Sequence, residues 1–392
     1  MGDFNGKIFL VIDYCNYEDY QIGGHLSFAK NLLSAFTNNL TLVGITTNKN
    51  DKVGRWFKKT INGITYDYFA LTRYNKLKTK HILPDRLACF LFLRLYKQRI
   101  LRINIQNVFV QRHEILPAII NFRFKNICYR FPGLESPLKI SKYWFGKYFA
   151  DKFDKVFFSC LQKVKLVLAS GDEKAIQEMV HRSMGTILKS SVIKFPTRIN
   201  TDIFKPLDKH EARGKLNIST TDLIILTTGR LAWLKGWKFM IDCFILFKEN
   251  FPNSLFYIIG EGEDFLKIQE YLFLKKNTEK VILVGAKRID EIALFLNASD
   301  LFIMGSYKEG WSTSLSEAIA CGIPACVTNF SSAKEIIKDG KNGFVIDEHN
   351  EDLFVKGMFK AMKIPRPVYN DNVIKYSIDR LKEDLLNIWE LI

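Results

Sequence analysis

Residues 300–317 read DLFIMGSYKEGWSTSLSE and run on as AIACGIPACVT through residue 328. The first six residues are apolar enough for a buried parallel strand, and Ser314–Ala320 carry Leu315 and Ile319 four apart, the spacing of one helical face. The segment therefore reads as strand, loop, helix. Ser312 or Thr313 is placed to cap the helix, and Glu309 and Gly310 come just before it. The loop's N–H groups then face a positive helix end, which attracts anions. Glu317 lies about a turn and a half into the helix, so Glu309 and Glu317 can flank one ligand without touching. Acceptors so placed suit a polyhydroxylated molecule. A glutamate ahead of a helix start also simply favours the dipole, and one on a helix surface is ordinary, so the residue types alone leave both readings open.

The same alternation continues on either side. Upstream, LIILTT (223–228) is a strand; Gly229-Arg230 and Lys235-Gly236 follow and lead into a helix through Phe247. An Arg fork and a Lys point charge beside a helix start make a diphosphate clamp, or else a charged loop rim. A helix end alone contributes about 0.3 to 1 kcal/mol toward an exposed anion, so two side-chain cations would dominate. Residues 254–259 are a strand ending in a glycine-rich turn at Gly260 and Gly262, without the G-x-G-x-x-G of a dinucleotide site. VILVG (281–285), the loop 286–288, a helix with Ile292, Phe295 and Leu296, IPACVT, GFVID after Asn342-Gly343, and a helix 351–362 complete the series. Strands that each hand over to a helix require a parallel sheet with helices on both faces.

Glu309 and Glu317, with seven residues between them, with Trp311 after Gly310 and then Glu-Ala, Cys-Gly and Pro, resemble the signature of the retaining GT-B glycosyltransferases, family 4 in particular. The resemblance is strongest from about 223 to 347 and departs where many members have glycine and this chain has Ser312. It implies two Rossmann-like domains facing a cleft, with a C-terminal helix crossing back to the first. It also implies sugar transfer from a UDP- or GDP-linked donor. Glu309 would meet the donor sugar, Glu317 the ribose, Arg230 and Lys235 the diphosphate, and the loop around Lys287 the base. Gly260, Gly310, Trp311 and Ser312 would line the donor site.

In the first half, KIFLVIDY (7–14) is a strand, and Gln21, Gly23 and Gly24 lead into a helix from His25 to Phe36. Adjacent glycines let a backbone approach a ligand or merely turn; the resemblance implies contact between Gly23-Gly24 and the donor diphosphate and acceptor. Strand 41–47, a hairpin through Asn62-Gly63 and a strand 107–111 follow. His113 then stands at a strand's carboxyl end, where such sheets bind ligands. Alone it reads as readily as a structural residue; the resemblance places it near the reacting sugar. A strand and turn over 127–133, a long helix 139–162 with Trp144, and a strand-turn-helix capped by Asp172 lead to a linker between Pro196 and Pro206.

At 392 residues, two domains are expected, drawn as 1–200 and 201–365, with 366–392 as a C-terminal helix returning to the first. Hydrophobic residues at 47% and charged ones at 25% are those of a globular protein. The net charge of +16 is lopsided: residues 1–200 hold 32 Lys and Arg against 14 Asp and Glu, leaving 25 against 27 beyond. A basic half facing a neutral one suggests an anionic partner. The helix expected at 84–103, with Arg86, Arg94, Lys97, Arg99 and Arg102 and with Lys76, Lys78 and Lys80 upstream, fits the surface of an anionic membrane, or a buried helix with snorkelling rim cations. Lys142, Lys147, Lys152 and Lys155 extend this surface.

The seven scattered cysteines show no metal or disulfide spacing and read as reduced core residues of a cytoplasmic protein. No stretch is long and apolar enough to span a bilayer. The chain has no Asp-x-Asp, so a metal-independent reaction is expected, with no cofactor beyond the nucleotide sugar. Expected partners are that donor, a saccharide or lipid-linked saccharide acceptor in bacterial surface polysaccharide synthesis, and an anionic membrane. Nucleic acid is not expected, since charge is its one argument. A nucleotide-sugar epimerase on the same fold is the other alternative.

Overall fold

The computed structural model describes residues 7–20, 24–75, 83–131, 133, 136, 138–139, 148–276 and 278–390. Gln21, Gly23, Lys76, Lys78, Lys80, Lys142, Trp144 and Lys147 lie outside them. The chain divides into two compact units, Met1–Pro196 with Ile378–Ile392, and Thr197–Ser377.

The first unit is built on an eight-stranded sheet. Its strands are β1 (Phe9–Ile12), β2 (Leu40–Thr46), β3 (Trp56–Ile61), β4 (Ile64–Arg73), β5 (Asn107–Val110), β6 (Asn126–Phe131), β7 (Leu166–Ala169) and β8 (Val192–Lys194). The order is β3-β4-β2-β1-β5-β6-β7-β8, all parallel except the β3–β4 hairpin. Asn62 and Gly63 both take positive φ in that hairpin, which matches the twist of the strands they join. β1 is buried at every position because helices cover both faces, which is why it reads as an unbroken apolar run.

The second unit has six strands: β9 (Leu223–Thr228), β10 (Ser254–Ile259), β11 (Val281–Gly285), β12 (Leu301–Met304), β13 (Ala325–Thr328) and β14 (Gly343–Ile346). Their order is β11-β10-β9-β12-β13-β14, entirely parallel. In each unit the sheet grows outward in both directions from its first strand. The neighbours β1 and β5, and β9 and β12, therefore flank a switch point, where loops at the carboxyl ends part and leave a crevice.

The unit boundaries differ from the sequence reading by a few residues at the linker and a dozen at the return. Ile199 bridges Ser377, and its N–H donates to Tyr376 O at 3.0 Å, so both crossing segments are knitted into the second unit before the chain leaves it. The returning part is the helix Leu381–Trp389, whose Leu381, Leu385 and Trp389 are fully buried with Phe9, Phe28 and Phe36 of the first unit. Trp389 packs 5.2 Å from the Phe9 ring.

The helix expected at 84–103 divides into Asp85–Leu95 and Lys97–Ile100. Tyr96 leaves helical geometry where its ring packs on Phe69 at 5.5 Å and stacks on Phe92. Of the long helix expected at 139–162, the described part runs Ala150–Leu161. Asp172 caps the helix Glu173–Arg182 through Ala175 N–H at 2.8 Å. All seven cysteines are free, six of them buried.

Candidate active site

At the switch point of the second unit, β9 opens into Gly229–Gly236 and β12 into Gly305–Ser312. Gly236 has φ 66°, and a Cβ there would lie 1.9 Å from Gly305 O. No other residue fits so close a backbone approach. Tyr307 N–H donates to Leu234 O at 2.9 Å, tying the two loops together. The consequence is chemical: Lys235 Nζ donates to Glu309 Oε1, and Ser306 Oγ donates to the same oxygen at 3.0 Å. The pair is substantially withdrawn from water, with side-chain exposures of 30% and 11%.

Arg230 lies mostly exposed and bonds Glu263 Oε2 through Nε at 2.9 Å. Arg230, Lys235, Thr228 and Ser306 line a common recess of about 20 Å³, room for about one water. The Thr228 hydroxyl in that lining is buried without a hydrogen-bond partner among the described residues. A larger cavity of about 730 Å³ lies in the first unit, bordered by residues such as Asp154, Arg182 and Lys189, and contains none of the predicted site residues. Size therefore does not select the site; side-chain chemistry does.

The helix after this loop is Thr313–Ala320, capped by Ser312, whose Oγ accepts from Leu315 N–H at 3.2 Å. Ser312 is buried, its own N–H donating to Ser332 Oγ at 2.9 Å. Ser312→Ala is expected to cost about 1 kcal/mol in urea melts through loss of the cap. Ser314 Oγ comes within 3.8 Å of where a Cβ on Gly229 would stand. Glu317, three residues on, shares that helix face. Its half-buried carboxylate meets no hydrogen-bond or ion-pair partner among the described residues. Loss of water pushes its pKa from 4.5 up to about 8.

The first unit places a polar cluster at its own switch point. Asp13 follows β1, while Gln111, Arg112 and His113 follow β5. Arg112 Nε donates to Asp13 Oδ1 at 2.5 Å and Gln111 Nε2 to Asp13 Oδ2 at 2.6 Å. Burial opposes the charge on Asp13, but Arg112, His25 and Gln111 outweigh it and hold its pKa below the usual range. His113 is 7% exposed and packs against Tyr129, Phe131 and Phe157, with its Phe157 centroid distance at 4.8 Å. Burial, then the neighbouring His25 and two arginines, push it well below the ordinary histidine range, so the ring is neutral. His113 Nε2, His25 Nδ1 and Gln111 Oε1 are buried with no hydrogen-bond partner among the described residues.

Residues 208–380 match the sequence model of the family described as Glycosyl transferases group 1. The second unit is a glycosyl transferases group 1 domain. The chain is 27% identical over 139 residues to alpha-monoglucosyldiacylglycerol synthase of Acholeplasma laidlawii, covering 36% of this chain and 35% of that protein. It is 25% identical over 209 residues to UDP-Gal:alpha-D-GlcNAc-diphosphoundecaprenol alpha-1,3-galactosyltransferase of Escherichia coli, covering 52% and 51%. The chain thus spans about half the length, or less, of the curated relatives it matches. The crystal structure of Anabaena HepE in complex with UDP and glucose superposes with a TM-score of 0.71 at 14% identity, over 98% of this chain and 100% of that one. The two parallel-sheet α/β units are those of the GT-B fold.

Within the group 1 domain, the predicted residues separate by role. Lys235, Glu309 and Arg230 come together at the switch point, and Glu317 follows on the adjoining helix. Trp311, 7% exposed, packs its ring on Tyr376 at 5.3 Å, so its side chain belongs to the core and Gly310 carries the open part of the loop. Gly260, with φ 144°, meets Gly229 O, where a Cβ would lie 1.8 Å away; it joins the ends of β9 and β10. Lys287 follows the edge strand β11, two strands from β9, with Nζ 3.8 Å from Glu291. In the first unit Gly24 begins its helix exposed, with open space where a side chain would be. The sequence reading missed Asp13, whose signal was a lone acid ending an apolar strand, and Thr228, which had none.

Proposed function

We propose that this chain is a retaining glycosyltransferase that moves a hexosyl unit from a nucleotide-diphosphate sugar to a saccharide or lipid-linked saccharide. Its place is in bacterial surface polysaccharide synthesis, such as lipopolysaccharide, O-antigen or capsule. The observation that carries the reading is Glu317: a desolvated carboxylate without a partner, beside the switch point of a group 1 domain. Two vicinal hydroxyls of a ribose would satisfy it. On this reading Lys235 and Arg230 take the diphosphate, Glu309 takes donor-sugar hydroxyls, and the loop holding Lys287 meets the base. The neutral His113, with Nε2 unspent, serves near the reacting carbon. The demand of the reaction is to stabilise a leaving diphosphate, and fixed cations supply that charge directly. Transfer is accordingly expected to persist in EDTA.

The relatives' names support the finer choices: one names UDP-Gal and a diphosphoundecaprenol acceptor, another a diacylglycerol product, and HepE holds UDP and glucose. UDP is therefore the first donor base to test and GDP the second. Action at the cytoplasmic face of an anionic membrane belongs to the same proposal; among the described residues no helix is long and apolar enough to cross one. A thermal-shift panel of UDP, GDP, ADP and their sugars tests the reading. A ligand at about 100 times its dissociation constant adds about 2.7 kcal/mol, a shift of several degrees. A melting temperature unmoved by every nucleotide would sink the proposal.

A further inference from the structure

The helix Asp85–Leu95 has two unlike sides. Ala88, Cys89 and Leu93 are buried in the first unit's core, whereas Leu87, Leu91 and Leu95 stand 46%, 44% and 69% exposed, and Leu83, just ahead of the helix, 41%. Leu87, Leu91 and Leu95 recur every fourth residue of the helix, so they form one oblique stripe outside the unit's core, and the leucine just ahead of the helix is exposed as well. Arg86 and Arg94 are exposed beside the stripe, and Arg102 is exposed beyond it. From Lys76 to Arg102 the sequence holds eight Lys and Arg against the single acid Asp85. Leucines alone would fit many apolar partners. Leucines set in a stretch this rich in cations and poor in acids fit a surface that is apolar just beneath an anionic layer.

We infer that the Leu87–Leu95 stripe is a membrane-docking face that enters the headgroup boundary of an anionic bilayer, with Arg86 and Arg94 meeting lipid phosphates. This names the surface through which the proposed enzyme would reach a lipid-linked acceptor, and in that respect it rests on the function proposed above. The docking itself is separable from catalysis. The helix is too short to span the bilayer, so attachment is peripheral and reversible, strengthened by charge and weakened by salt.

The test is flotation of the full chain with vesicles of phosphatidylcholine alone or with a third phosphatidylglycerol, at low and high salt. The wild-type chain should float with the anionic vesicles at low salt and stay behind with neutral ones. Leu87→Glu/Leu91→Glu should lower the bound-to-free ratio about tenfold per leucine. Its melting curve and its response to nucleotide should be unchanged, since both positions face solvent. Leu95→Gln serves as a milder variant should the double change disturb folding. Wild-type chain that floats with neither vesicle, or variants that float as well as wild type, would overturn the inference. So would a stable dimer in sedimentation that Leu87→Glu/Leu91→Glu dissolves, because the stripe would then be covered by a second copy. Failure of every nucleotide to bind, with flotation intact, would instead remove the transferase reading and leave the docking face standing.

Discussion

Lys235→Ala is expected to slow sugar transfer about 10²- to 10³-fold, the loss measured when one preorganised group is removed from a site of developing charge. The melting temperature should move little. Lys235 reaches Glu309 from a loop whose position is set by backbone contacts, Gly236 against Gly305 and Tyr307 N–H to Leu234 O, and these survive the substitution. Glu309 would keep Ser306 Oγ at 3.0 Å. The double variant Lys235→Ala/Glu309→Ala separates two roles for the carboxylate. If Glu309 only neutralises the lysine, removing both is no worse than removing Lys235. If it binds donor hydroxyls, as proposed, the losses compound. Turnover within a few fold of wild type for Lys235→Ala would show that the diphosphate lies elsewhere.

Glu317→Gln is expected to make the empty protein more stable at pH 8 to 9 while abolishing the thermal shift given by nucleotide. The carboxyl titrates at about 8 in the folded chain against 4.5 when free of its surroundings. Between those values the folded state keeps a proton that the unfolded chain has released, so wild-type stability falls as pH rises through that window. The full displacement sets a ceiling of about 5 kcal/mol, and the water that the half-buried side chain retains brings the expected gain to about 2 kcal/mol. Below pH 4 the two proteins should melt alike. A variant less stable than wild type at every pH would mean that the carboxylate has a structural partner. Unchanged nucleotide binding would remove Glu317 from the donor site.

The strands of the second unit were legible almost to the residue because each apolar run is stopped by chemistry. Leu223–Thr228 ends at Gly229, Ser254–Ile259 at Gly260, and Val281–Gly285 closes on its own glycine. The cap was legible as Ser312 or Thr313, and the structure decides for Ser312. What sequence patterns do not carry is contact at long range. Lys235 and Glu309 are 74 residues apart and meet because Gly236 and Gly305 touch, which nothing in either segment announces. The break at Tyr96 was equally hidden, since it depends on Phe69 arriving from a strand. The chemistry of His113 also turned on its surroundings: three aromatic neighbours and a lost water shell make it a neutral, buried ring.

On the proposed reading, the ion pair of Lys235 with Glu309 would act as a filter for whole donor molecules. Inorganic phosphate can claim the ammonium only by stranding the glutamate, and a free sugar can claim the glutamate only by stranding the ammonium. A molecule that carries an anion and hydroxyls on one covalent frame replaces both halves together. Once transfer had cut that frame, each fragment would compete singly against re-formation of the pair, so on that reading the resting contact would hasten departure of spent nucleotide and limit inhibition by the products.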